Sequence, residues 1–224
     1  MCGWSRLGER LDWSLYLVTD APLSLGRSHR QVVEAAIAGG VTVVQYREKG
    51  ATTRRMVEEA HGLRELCRRR AVPFIVNDRL DVALAVDADG LHVGQDDLPA
   101  SLARRLIGRG KLLGVSAESP EEAVRAQADG ADYVGASPIF ATPTKPDAPP
   151  PLGIEGLRLI AAAVSIPVVA IGGINRDNAA AMVEAGAAGI AVVSALVSAE
   201  DVESAARSLY AVVAKAKRTK GNDR

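Results

Sequence analysis

Eight short apolar runs, separated by helix-patterned or polar stretches, constrain this chain more than any other feature. The runs fall at 15–19, 41–46, 73–77, 90–93, 111–115, 132–135, 168–171 and 189–193, and most are rich in β-branched residues. Such runs read as strands. Helical spacing occupies 31–38, 53–70, 154–164, 177–185 and 199–216. In the second of these, Met56, Val57, Ala60, Leu63, Leu66 and Cys67 recur at helical intervals. Ser119-Pro120-Glu121-Glu122 is a helix start: a cap, a proline in the first turn, then acids. Gly-containing junctions at 38–41, 88–91, 128–131 and 185–188 precede the second, fourth, sixth and eighth runs. Glycine there fits a helix C-terminus feeding a strand, so the chain repeats a two-strand unit four times. Strands alternating with helices pair in parallel, and a closed (β/α)8 TIM barrel accommodates all eight. An open doubly wound sheet is the other arrangement, and the missing GxGxxG after the first run counts against it.

The length of 224 residues suits one barrel of about 200–250 residues. The expected organisation is an N-terminal extension at 1–13, a barrel domain at 14–216 and a polar tail at 217–224. Hydrophobic residues form 48% of the chain, which excludes a disordered protein. Lys and Arg total 27 against 27 Asp and Glu, so no global basic footprint for nucleic acid exists. The two cysteines, Cys2 and Cys67, have no metal-binding spacing, and Cys67 reads as a small buried thiol. The N-terminal stretch carries Arg6, Glu9, Arg10 and Asp12 without the apolar core of a signal peptide. The longest apolar stretch, 159–171, is interrupted by Ser165 and Pro167 and is too short to span a bilayer. The expectation is a cytoplasmic protein with neither nucleic-acid nor membrane partners, and a homo-oligomer stays open. The segment 138–153, with Pro143, Pro146, Pro149, Pro150 and Pro151, reads as a lid or insert.

Barrel active sites lie at the C-terminal strand ends, so polar residues there are the candidates. After the second run, Gln45, Arg47 and Lys49 alternate and share one face. Two cations and an amide on one face call for an anion. Asn77 and Asp78 end the third run, and Gly94-Gln95-Asp96-Asp97 follows the fourth. Carboxylates beside a cationic site suit Mg2+, which shares one or two carboxylates with phosphate oxygens; Asp78 or Asp96 capping a helix is the plainer alternative. Ser116 follows the fifth run, and Thr142, Thr144 and Lys145 lie beyond the sixth. Gly172-Gly173 and then Val193-Ser194 end the last two runs, the usual phosphate corner of a barrel. The composite is one cationic, metal-assisted pocket for a diphosphate and one neutral, backbone-lined pocket for a monophosphate. No Ser/His/Asp arrangement is evident: His29 and His61 fall in helical stretches, and His92 reads as a packed strand residue.

Taken together, Gln45-Tyr46-Arg47-Glu48-Lys49, Val76-Asn77-Asp78, His92-Val93-Gly94-Gln95-Asp96-Asp97, Gly114-Val115-Ser116, Thr142-Pro143-Thr144-Lys145, Ile171-Gly172-Gly173-Ile174 and Val192-Val193-Ser194-Ala195 resemble the thiamine-phosphate synthase family. The resemblance runs from about residue 15 to 216. It implies a TIM-barrel transferase that joins a pyrimidine diphosphate to a thiazole phosphate. It implies that Gln45, Arg47, Lys49, Asn77, Ser116 and Lys145 hold the pyrimidine diphosphate, with Arg47, Lys49, Ser116 and Lys145 in catalytic roles. Asp78 and Asp97 would hold Mg2+, and Thr142, Thr144, Gly173, Val193 and Ser194 would hold the thiazole phosphate. Tyr46 departs from the family's usual Leu, on the face opposite Gln45. A thiazole tautomerase-like barrel and a non-catalytic phosphate-ligand sensor are the alternatives. Neither requires the cation row together with the carboxylate pair.

Overall fold

Each apolar run becomes a short parallel strand, and the computed structural model describes residues 11–142 and 150–222. The strands are β1 (Leu15–Val18), β2 (Val43–Tyr46), β3 (Phe74–Asn77), β4 (Gly90–Val93), β5 (Leu112–Ala117), β6 (Tyr133–Ala136), β7 (Val168–Ile171) and β8 (Gly189–Val192). They pair in sequence order, and β8 returns to β1 with Leu15 opposite Ile190. The sheet is therefore a closed barrel with no open edge, which removes the doubly wound alternative. The helices are α1 (His29–Ala38), α2 (Thr53–Arg69), α3 (Leu80–Ala85), α4 (Ala100–Ile107), α5 (Pro120–Ala128), α6 (Gly153–Ala163), α7 (Ala179–Glu184), α8 (Ser194–Val197) and α9 (Val202–Asn222).

Helix starts follow local chemistry. Ser28 and Gln31 form a reciprocal capping box, so α1 begins two residues before its apolar period does. Ser119 caps α5 with Pro120 in the first turn, as its sequence predicts. Helices α3, α4 and α8 have 6, 8 and 4 residues, too few turns to show a period in sequence. Helix α9 continues past Ala216 into the polar stretch, because that stretch finds partners on the barrel. Lys217 Nζ donates to Ser14 Oγ at 2.7 Å, and Lys220 Nζ donates to the Val183 carbonyl at 2.7 Å.

Period-two alternation divides the strands between two cores. Leu15, Leu17, Val44, Tyr46, Phe74, Val76, Leu91, Leu113 and Val134 face outward and pack beneath the helices. Tyr16, Val18, Val43, Ile75, Leu112, Tyr133, Val169 and Ala191 fill the barrel interior, and Trp13 closes its floor. Trp13 packs against Tyr133 with ring centroids 4.4 Å apart and the planes tilted by 35°. Ion pairs pin the N-terminal end: Arg64 to Asp89 at 3.0 Å, and Arg104 to Asp132. Cys67 is buried in the outer core, and that burial pushes its thiol up to about 12. Among the described residues no helix is long and apolar enough to cross a membrane.

Candidate active site

The C-terminal mouth of the barrel opens into a cavity of about 470 Å3. Gln45, Arg47, Lys49, Asn77, Asp78, Asp97, Ser116, Thr142, Gly173, Val193 and Ser194 all line it. Thr144 and Lys145, also expected here, lie outside the described residues.

Parity builds the cationic side. On β2, Gln45 points into the barrel, and Tyr46 points out, where its hydroxyl donates to Glu59 at 2.8 Å. Tyr46 also meets the His29 ring edge to face at 5.4 Å. Arg47 and Lys49 follow the strand and return to the mouth. Arg47 Nη1 donates to Asp20 Oδ2 at 2.9 Å, and Lys49 Nζ pairs with Asp78 Oδ2 at 2.6 Å. Behind β2, ligand-type atoms of His29, Glu48 and Glu59 gather within 4.8 Å of one another, outside the cavity. Glu59 there already accepts from Tyr46 and pairs with His29 at 3.0 Å, so Tyr46, Glu59 and His29 tie β2 to α2 and α1.

The carboxylate pair sits beside these cations. Asp78 adopts a left-handed backbone, φ +60°, at the turn after β3. It does not cap α3, whose N-cap is Arg79 with no side-chain cap bond. Burial, and then the Asp97 carboxylate, raise Asp78 above the usual carboxylate range, against the pull of Lys49. Burial also acts to raise Asp97, but hydrogen bonds from Asp78 and the Gly94 N–H, together with Lys49, outweigh it and hold Asp97 low. The Gly94 N–H to Asp97 Oδ2 bond is 2.8 Å. Two carboxyl groups thus compete for one site, which a divalent cation would relieve.

The opposite wall is mostly backbone. The chain leaving β6 runs along β7: Ile139 N–H donates to the Ile171 carbonyl at 2.9 Å and Phe140 N–H to the Gly172 carbonyl at 3.1 Å. That path brings Thr142 to the cavity. Gly173 has φ +64°, and a Cβ there would lie 2.7 Å from Phe140 Cβ and 2.9 Å from the Ala141 carbonyl oxygen. Only glycine lets the two segments approach this closely. Ser194 opens α8 directly after Val193, at the end of β8.

The floor was not legible in the sequence. Gln45 Nε2 donates to the Tyr16 hydroxyl at 2.9 Å, and Tyr16 shares a hydrogen bond with Tyr133 at 2.8 Å. His92 joins the Tyr133 hydroxyl at 2.9 Å through Nδ1 and Ser116 Oγ at 3.0 Å through Nε2. His92 is therefore a strand residue as expected, but it lines the cavity rather than packing in an apolar core. Burial lowers its pKa to about 4 and pushes both tyrosine hydroxyls far up, so all three are neutral hydrogen-bonding groups. Strand β5 also runs to Ala117, which places Ser116 within the strand rather than after it. The signal that could have exposed this floor is Gly114, a glycine inside an apolar strand. A Cβ there would sit 2.1 Å from Tyr133 Cζ and 2.5 Å from His92 Nδ1.

The chain is similar to known proteins over most of its length. Residues 15–196 match the family model described as thiamine monophosphate synthase. The chain is 68% identical over 203 residues to the thiamine-phosphate synthase of Chloroflexus aurantiacus, covering 91% of this chain and 94% of that protein. It is 55% identical over 205 residues to the thiamine-phosphate synthase of Moorella thermoacetica, covering 92% and 98%. Among solved structures, the thiamine phosphate pyrophosphorylase of Pyrococcus furiosus superposes with a TM-score of 0.86 at 45% identity, covering 93% of this chain and 98% of that one.

Proposed function

The chain belongs to the thiamine monophosphate synthase family, and from that premise we propose how its cavity carries out the reaction. The enzyme condenses 4-amino-2-methyl-5-(diphosphooxymethyl)pyrimidine with 4-methyl-5-(2-phosphooxyethyl)thiazole, giving thiamine monophosphate and diphosphate. The observation that carries the mechanistic reading is the polarity of one cavity. Arg47, Lys49, Asp78 and Asp97 line one side, and Gly173, Val193 and Ser194 line another.

The pyrimidine diphosphate lies on the cationic side, with its ring over the floor. Arg47 and Lys49 face the diphosphate, and Lys145 is assigned to it by the family resemblance alone. The C–O bond between the methylene and the diphosphate breaks first, and the bonding pair leaves with the diphosphate. The ring amino group stabilises the resulting cation, and the thiazole nitrogen then donates its lone pair to the methylene carbon. No side chain has to remove a proton from a nucleophile, which suits a floor of neutral groups. Catalysis lies in donors aimed at charge that grows on the leaving group. Gln45, Asn77 and Ser116 orient the pyrimidine, while Thr142, Thr144, Gly173, Val193 and Ser194 hold the thiazole phosphate.

Mg2+ fits the donor set. Asp78 and Asp97 offer only oxygen ligands, and their mutual repulsion in a partly buried setting favours a shared cation. Bound there, Mg2+ would neutralise charge on the leaving diphosphate.

The test is direct. Purified protein incubated with both substrates and Mg2+ should form thiamine monophosphate and diphosphate in equal amounts. No product under these conditions overturns the reading in favour of a ligand sensor. Arg47→Ala should lower kcat about 10²–10³-fold and leave the KM for the thiazole phosphate unchanged.

A further inference from the structure

We infer that Thr19 and Asp20, at the end of β1, are positioning residues that hold Arg47 in its anion-facing geometry. The inference rests on the role given to Arg47 above. Neither residue lines the cavity, so neither can act except through a neighbour.

Arg47 lies one residue beyond β2. The β1–β2 register ends with Val18 opposite Gln45, and Thr19 N–H adds one more bond, to the Gln45 carbonyl at 3.0 Å. Past that point the Thr19 hydroxyl takes over from the ladder. Thr19 Oγ1 accepts the Arg47 N–H at 2.9 Å and donates to the Arg47 carbonyl at 3.2 Å. A hydroxyl has one proton and two lone pairs, so it can do both at once. Thr19 is 1% exposed, which keeps water from competing for either bond. The backbone of Arg47 is thereby pinned on both sides.

Asp20 does the same for the side chain. Its Oδ2 accepts from Arg47 Nη1 at 2.9 Å, and its Oδ1 accepts the Leu23 N–H at 3.2 Å. The carboxylate is therefore fixed by its own turn before it fixes the guanidinium. Asp20 is 8% exposed. Among the described residues Asp20 is the only one that accepts a hydrogen bond from the Arg47 guanidinium. The guanidinium is a rigid planar fork with five donors. Holding it at Nη1 orients the remaining donors toward the cavity without consuming them. The acid on Lys49 is different in kind: Asp78 also belongs to the proposed metal pair, whereas Asp20 holds only its own turn and Arg47.

The experiment is a double-mutant cycle read by steady-state kinetics with both substrates and Mg2+. Asp20→Asn keeps an oxygen for the Leu23 N–H and loses the charge that holds the guanidinium. It should lower kcat about tenfold to a hundredfold, the scale of a misplaced group. The KM for the thiazole phosphate and the thermal midpoint should stay at the wild-type values. Asp20→Glu, which restores the charge, should recover kcat relative to Asp20→Asn. In an Arg47→Ala background, Asp20→Asn should cost nothing more, because the group it positions is gone. Should Asp20→Asn not fold, Thr19→Val, which keeps shape and removes the hydroxyl, carries the same cycle. Wild-type kcat in Asp20→Asn alongside an impaired Arg47→Ala overturns the inference and leaves the Arg47 role standing. Equal losses in both backgrounds overturn it in favour of a purely structural acid. Wild-type kcat in Arg47→Ala overturns the role of Arg47, and the inference with it.

Discussion

Gly114→Ala tests whether the aromatic floor and the chemistry depend on each other. The added Cβ would lie 2.1 Å from Tyr133 Cζ, 2.3 Å from its hydroxyl oxygen and 2.5 Å from His92 Nδ1. All three contacts are too short, so a ring must move. Overpacking of this kind costs about 1–3 kcal/mol. Movement of Tyr133 or His92 also strips a hydrogen bond from the Gln45–Tyr16–Tyr133–His92–Ser116 chain, and an unsatisfied buried group costs about 1–3 kcal/mol. Alanine recovers about 0.5–1 kcal/mol through its smaller unfolded-state entropy. The expected net loss is about 2–4 kcal/mol, or a Tm drop of roughly 5–15 °C for a chain of this size. Thermal unfolding followed by circular dichroism gives the Tm. Thiamine monophosphate formation gives kcat, which should fall because Gln45 and Ser116 lose their orienting partners. Gly62→Ala is the control: nothing lies within 4 Å of its added Cβ, and it should gain about 1 kcal/mol as a helix-interior substitution. A Gly114→Ala protein with wild-type Tm and kcat would refute the reasoning.

Two further outcomes follow from the site. Asp97→Asn should raise the Mg2+ concentration needed for half-maximal activity at least about tenfold, and equal metal requirements in the two proteins would remove Asp97 from the metal pair. His92 is held at about 4, below its ordinary 6.5, by burial. The unfolded chain therefore takes up this proton first, so stability should fall as pH drops from about 6.5 to about 4. That difference is worth up to about 3 kcal/mol, with no contribution from His92 above neutral pH. Urea unfolding at pH 7.5 and pH 5 should show a smaller acid loss in His92→Gln, and identical losses would count against the buried neutral histidine.

Much of this protein is local in origin. The barrel follows from strand runs, glycine junctions and helix starts that recur at short range. Gln45 turns inward and Tyr46 outward simply because side chains alternate along a strand. The cation row, the carboxylates and Gly172-Gly173 were readable because strand ends are fixed by where the apolar runs stop. What only tertiary structure decided is cross-strand. Tyr16 reaches Tyr133 from 117 residues away, and His92 reaches Ser116 and Tyr133 from 24 and 41. No sequence window spans such pairs, and Tyr16, Tyr133 and His92 taken singly resemble ordinary core. Asp20 likewise shows its use only once β1 lies beside β2, where Arg47 emerges 27 residues later. The sequence alone determined the order of the strands and the face each residue presents. Closure of the barrel decided which of those faces meet, because a side chain's hydrogen-bond partners depend on distances that only the folded ring of strands establishes.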